Sequence, residues 1–168
     1  GTTCKPGYYF STSDQRCKPC NQGCLNCEGP LNNQCSECKT GASLQTNQGQ
    51  TIGTCECLIQ FFSVAGIKGN CQPCDTSCLG CVGGASNQCT GCPTGAFLHI
   101  LRQTTSNQGF CQLDSCRPDY YLSNNICRQC HESCLQCSGS TETECTSCPQ
   151  SKFLVGNTCR DNDIPETC

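Results

Sequence analysis

The chain has 168 residues, with 13 acidic and 10 basic side chains and a formal net charge of −3, and it holds no basic run, which leaves it without the electrostatic footprint of a nucleic-acid binder. It carries 25 cysteines with no Trp and no Met, above the roughly 8–10% cysteine that marks a disulfide scaffold, and no apolar stretch is long enough to span a membrane. No leader, phosphate loop, carboxylate dyad or Ser/His/Asp set stands out, so neither a cofactor nor an enzymatic role is implied.

In chain order the cysteines fall into three sets of eight, lettered here a to h. The first is Cys4, Cys17, Cys20, Cys24, Cys27, Cys35, Cys38 and Cys55. Between a and b, the strand formers Tyr8-Tyr9-Phe10 lead to a polar turn at Ser13-Asp14, which predicts a short β-hairpin. The tight run from b to g holds Asn21, a turn residue, and Leu25 directly after d, expected to be the one buried aliphatic contact of the repeat. A second hairpin is predicted between g and h, with Ala42-Ser43-Leu44 as its first arm.

The second set is Cys57, Cys71, Cys74, Cys78, Cys81, Cys89, Cys92 and Cys111. Its opening hairpin carries Phe61-Phe62, with Gly66 and Gly69-Asn70 at the turn; Phe61, Phe62, Val64 and Ile67 form the most apolar candidate contact patch of the chain. Asp75 and Leu79 follow in the tight run, and Ala96-Phe97-Leu98 begins the closing hairpin. The third set is Cys116, Cys127, Cys130, Cys134, Cys137, Cys145, Cys148 and Cys159. It repeats the plan with Tyr120-Tyr121, a turn at Asn124-Asn125, His131 and Leu135 in the tight run, and Lys152-Phe153-Leu154 before a tight turn at Gly156-Asn157. The recurrence of aromatic pairs at equivalent places favours packing on cystines over a ligand-binding stripe.

From b to g all three sets share the spacing C-x2-C-x3-C-x2-C-x7-C-x2-C. Three repeats are therefore expected, at residues 4–55, 57–111 and 116–159, with joints of Glu56 alone, residues 112–115 and residues 160–167. Joints this short favour stacking of neighbours into a rod. Cys168 fits position a of a fourth repeat beginning within residues 160–168, and is expected to pair with a cysteine beyond them; the other reading is a free or intermolecular thiol. No stretch has the apolar period of a helix.

Three chemical readings compete for the sulfurs. The pairs b–c, d–e and f–g have zinc-ligand spacing. Eight cysteines per repeat exceed one tetrahedral site, however, and few lysines stand near to offset thiolate charge, so disulfides outside the cell are favoured and zinc is the alternative. Redox catalysis by C-x2-C lacks its strand–helix context. The two histidines, His99 and His131, occupy non-equivalent places; His131 shares its slot with Asn21 and Asp75 and reads as a turn residue, and His99 as a solvated side chain. No Asn-x-Ser/Thr sequon is present; Asn157-Thr158-Cys159 is the rare variant, and O-linked glycans on the many Ser and Thr residues are left open.

The cysteine order, with Cys4-Lys5-Pro6-Gly7-Tyr8-Tyr9 and Cys116-Arg117-Pro118-Asp119-Tyr120-Tyr121 opening two of the repeats, resembles the furin-like repeat of the growth-factor-receptor cysteine-rich fold, which R-spondins and proprotein convertase tails contain. The Asn/Gln/Ser/Thr-rich background is similar to that of cysteine-rich surface proteins of protists such as ciliates. Eight cysteines alone allow 105 pairings; the resemblance implies a–b, c–e, d–f and g–h. These are Cys4–Cys17, Cys20–Cys27, Cys24–Cys35 and Cys38–Cys55; Cys57–Cys71, Cys74–Cys81, Cys78–Cys89 and Cys92–Cys111; and Cys116–Cys127, Cys130–Cys137, Cys134–Cys145 and Cys148–Cys159. The a–b and g–h pairs would each close a predicted hairpin. The expectation is a small, disulfide-rich, all-β tandem array, serving as a spacer in a surface coat or filament, with protein partners or self-association. The competing reading is a receptor- or ligand-binding ectodomain module.

Overall fold

A computed structural model describes residues 3–102 and 107–161; Cys168 and residues 162–167 of the expected fourth repeat lie outside the described residues. The chain forms two compact halves, Gly1–Ala85 and Ser86–Cys168, and the boundary falls inside the second cysteine set. Strands and turns make up nearly all of it. Among the described residues the one helical element is a 3₁₀ turn, Val64–Gly66.

In the first half, β1 (Tyr8–Ser11) and β2 (Arg16–Pro19) form the opening hairpin, with Phe10 opposite Cys17. Four strands follow, β3 (Cys24–Cys27), β4 (Cys35–Cys38), β5 (Ala42–Thr46) and β6 (Gly53–Cys57), in the sheet order β3-β4-β6-β5. Then come β7 (Phe61–Ser63) and β8 (Cys71–Pro73), which pair antiparallel, and the two-residue β9 (Gly80–Cys81). The second half holds β10 (Cys89–Gly91), β11 (Ala96–Ile100), β12 (Gly109–Leu113), β13 (Tyr120–Ser123) and β14 (Ile126–Gln129), neighbours in the order β13-β14-β11-β12-β10. Two further hairpins, β15 (Gln136–Cys137) with β16 (Cys145–Ser147) and β17 (Lys152–Val155) with β18 (Thr158–Asp161), complete it.

The turns follow from residues that tolerate positive φ. Asn124 (φ 50°) and Asn125 (φ 61°) make the two-residue turn between β13 and β14, and Gly156 (φ 62°) opens the one between β17 and β18. The residue after c closes a local turn in every set. Asn21 Oδ1 accepts the Gly23 N–H at 3.0 Å, Asp75 Oδ1 the Ser77 N–H at 2.9 Å, and His131 Nδ1 the Ser133 N–H at 3.3 Å.

The core is mostly sulfur. Cys24, Cys27, Cys35 and Cys55 are buried together with Tyr9, Ala42 and Leu44 packed on them, and Cys130, Cys134, Cys145 and Cys159 form the equivalent cluster in the third repeat. Every cysteine among the described residues is oxidised. The first half carries Cys4–Cys17, Cys20–Cys27, Cys24–Cys35, Cys38–Cys55, Cys57–Cys71 and Cys74–Cys81. The second carries Cys92–Cys111, Cys116–Cys127, Cys130–Cys137, Cys134–Cys145 and Cys148–Cys159. Cys78 and Cys89 are disulfide-bonded as well.

One expectation is corrected. Leu25, Leu79 and Leu135 are all exposed, at 41%, 36% and 53%. Side chains alternate along extended backbone, so when cysteine d points inward the residue after it points out. The aliphatic contact of the first core comes instead from Leu44 and Ala42 on β5.

Candidate functional site

With the thiols among the described residues oxidised, the joints between repeats and the surfaces beside them are where one repeat meets the next. The first joint is a single residue, Glu56, and β6 runs straight through it from Gly53 to Cys57. Leu58 N–H then donates to Gly41 O at 2.9 Å, and the Phe61 ring lies so close over Gly41 that a Cβ there has no room. The turn of the second repeat presses on the first in the same way. Gly69 meets the Gly23 carbonyl, and Gly23 meets the Lys68 carbonyl, backbone against backbone. Lys68 Nζ pairs with Glu56 at 3.0 Å on the exposed rim.

The second joint, residues 112–115, is built differently. β14 of the third repeat lies parallel to β11 of the second, with Leu98 opposite Ile126, His99 opposite Cys127 and Ile100 opposite Arg128. Arg102 reinforces the contact. Its N–H donates to Gln129 Oε1 at 3.2 Å and its guanidinium to Cys130 O at 3.0 Å, and it forms an ion pair with Glu132 at 3.0 Å.

A proline explains why the two joints differ. Cys74 N–H donates to Gln60 O and Cys130 N–H to Asp119 O, so each points into its own hairpin. By alternation the residue just before it faces the other way, toward the preceding repeat. That residue is Pro73 in the second repeat, which has no N–H to give, and Gln129 in the third, which has one.

At the centre of the second joint sits His99, fully buried at 0% exposure, where the sequence pointed to a solvated side chain. Its ring stacks on Phe110 with centroids 4.9 Å apart and meets Tyr120 edge-on at 5.0 Å. Nε2 accepts the Arg117 N–H at 3.3 Å, which leaves Nδ1 as the protonated nitrogen, donating to Phe97 O at 3.1 Å. Burial holds the imidazole below its ordinary pKa and the Tyr120 phenol above its own.

The predicted apolar patch is half-buried throughout. Phe61 covers Gly41, Phe62 lies beside Gly84, and Val64 and Ile67 belong to the 3₁₀ turn and its exit. A shallow groove of about 280 Å³ runs beside Phe61, Pro73 and Asp75. The Ser77 hydroxyl holds the Asp75 carboxyl below its usual range, which leaves it a charged acceptor occupied by its own turn. Among the described residues no three His, Cys, Asp or Glu side chains converge as a metal site, and no helix is long and apolar enough to cross a membrane.

No family model matches the chain. Relatives do, over nearly its whole length. It is 35% identical to human extracellular matrix organizing protein FRAS1 over 162 residues, 93% of this chain and 4% of that protein. It is 33% identical to rat proprotein convertase subtilisin/kexin type 5 over 159 residues, 88% of this chain and 8% of the relative. With cysteine repeat modular protein 2 of Tetrahymena thermophila it shares 29% identity over 170 residues, 98% and 9% of the two chains. The chain is a furin-like cysteine-rich repeat segment. It spans less than a tenth of each of these relatives. As an oxidised furin-like segment it belongs to the secreted or cell-surface space, where disulfides persist.

Proposed function

We propose that this furin-like segment is a non-enzymatic spacer in a surface coat or extracellular filament, built of three repeats at residues 4–55, 57–111 and 116–159. The observation that carries the reading is the construction of the joints. β6 passes through the first as continuous strand, and β11 and β14 join the repeats across the second by backbone pairing. Neither joint is a free linker, and a module built to present one binding loop has no need of both. The a–b, c–e, d–f and g–h pairing in every repeat is part of this proposal, as are protein neighbours or copies of the chain as partners and O-linked glycans on the Ser- and Thr-rich surface.

Alkylation and intact mass, with and without a chelator, combined with limited proteolysis, tests the reading. The expected outcome is that the oxidised chain blocks all cysteines from Cys4 to Cys159, ignores chelator, and resists cleavage at both joints until a reductant is added. Alkylation released by chelator alone would establish zinc thiolates, and rapid cleavage at residues 112–115 in the oxidised chain would refute the spacer.

A further inference from the structure

The turn after cysteine c holds a base in two of the three repeats. In the third, the Arg102 guanidinium donates to the carbonyl of Cys130, at position c, at 3.0 Å, and pairs with Glu132, two residues on, at 3.0 Å. In the first, Lys39 Nζ donates to Gln22 O, again two residues after c, at 2.7 Å. The aromatic ring four places after cysteine a also meets a base there: the Lys5 ammonium lies 4.4 Å from the centre of the Tyr8 ring.

The second repeat gathers the same features into one groove and supplies none of these bases. The groove, of about 280 Å³, is lined by Phe61, four places after a, by Pro73, by Cys74 at c, and by Asp75 and Thr76. The Cys74 N–H, bonded to Gln60 O at 2.8 Å, holds its two sides together. Counted from cysteine g, Gln48 stands where Arg102 stands, and Pro93 where Lys39 stands. Of the second set's own lysine and arginine, Lys68 is paired with Glu56 and Arg102 is bonded to the turn of the third repeat.

What the second repeat adds is a carboxylate, where the first has Asn21 and the third His131. Asp75 Oδ1 accepts both the Ser77 N–H, at 2.9 Å, and the Ser77 hydroxyl, at 2.6 Å, which leaves Oδ2 for a second partner. A carboxylate next to a peptide carbonyl suits a cation with several donors. The ring of Phe61 and the pyrrolidine of Pro73 suit one that is flat, weakly hydrated and carried on an apolar stem. Arginine is the side chain that meets both demands.

We propose that this groove is a docking site for an arginine side chain of a partner polypeptide, with the guanidinium between Asp75 and the Cys74 carbonyl and the methylenes against Phe61 and Pro73. Arg102 on the third repeat is the chain's own example of such a contact. The groove lies wholly within the first half, between residues 60 and 78, with a repeat before it and another after it in sequence. The proposal goes beyond the spacer reading and does not depend on it.

Titration of the oxidised chain with an acetylated, amidated Gly-Arg-Gly peptide, followed by amide NMR shifts, tests it. The control is the same peptide with citrulline for arginine, which keeps the shape and removes the charge. The arginine peptide is expected to bind in the millimolar range, to move the Phe61, Asp75 and Thr76 amide signals, and to weaken as salt rises. Asp75→Asn keeps the turn, as Asn21 does in the first repeat, and should weaken binding by about tenfold. Thr76→Glu adds the carboxylate that Glu132 gives Arg102 and should tighten binding about two- to fivefold. Signals that stay fixed at every concentration, shifts centred away from the groove, equal binding of the citrulline peptide, or an affinity indifferent to both substitutions overturns the proposal. Limited proteolysis of the same sample keeps the two ideas apart, because a resistant chain that ignores the arginine peptide refutes the groove and leaves the spacer standing.

Discussion

Burial, with the Arg117 charge, holds the His99 imidazole below its ordinary pKa, against the opposing pull of the Phe97 carbonyl and the Asp119 carboxylate. Phe110 and Tyr120 enclose the ring, Arg117 presents its N–H to Nε2, and the charged groups facing it are the Arg117 guanidinium and the Asp119 carboxylate, themselves paired at 3.6 Å. Protonation at Nε2 would set two donors against each other. The folded pKa lies below the unfolded value of about 6.5, so the unfolded chain binds the proton more readily. The stability this residue contributes is thus complete above about pH 6.5 and is lost as pH falls through the folded pKa. We expect the denaturation midpoint of the oxidised protein, and exchange protection of the Arg117 amide, to fall on acidification below about pH 6.5. His99→Phe should flatten that dependence while orphaning the Arg117 N–H, at a cost of about 1–3 kcal/mol. A wild-type profile flat through this range would contradict the account. The sequence does contain a signal for burial: His99 lies within Ala96–Ile100 as its one polar residue. It reads as solvated because the covering strand comes from the next repeat, and nothing local announces that.

At the scale of strands and turns, the hairpins are legible because aromatic runs and Asn or Gly turns carry their own geometry. The outward Leu25, Leu79 and Leu135 are not, since their regular recurrence reflects the alternation set by their cysteines and says nothing of depth. Parallel pairing of β11 with β14 is hidden for another reason. It depends on a four-residue joint and on Gln129 standing where the other two repeats have Pro19 and Pro73. Replacing it should convert the second joint toward the first. Gln129→Pro is expected to lose protection along the facing edges of β11 and β14 and to cost about 0.5–1.5 kcal/mol per hydrogen bond removed, with the β13–β14 hairpin intact. Exchange mass spectrometry reads this directly, and unchanged protection on β11 would show that side chains alone hold the joint.

For the whole molecule, composition already requires that sulfur take the place of an apolar core, and the buried clusters of cysteine fulfil that. The pairing pattern is implied by family resemblance and cannot be read from eight cysteines by themselves. Replacing both Cys38 and Cys55 by Ser should lower stability by about 2–4 kcal/mol, because it reopens a long loop and leaves Cys55's place, 1% exposed, to a hydroxyl. Denaturant unfolding of the otherwise oxidised variant measures the loss. A change under about 1 kcal/mol would assign the stability to strand pairing instead.

The g–h disulfides have a mechanical consequence. A pull applied along the chain reaches Cys38 and crosses to Cys55, or Cys92 to Cys111, through one cystine, bypassing loops with sequence separations of 17 and 19. The bypassed residues bear no tension and add nothing to the length. Reducing one such bond would release roughly 50 Å of slack at a single step. Under load the oxidised segment is therefore close to inextensible, and its compliance is set by the redox state of its surroundings more than by the strength of its strands.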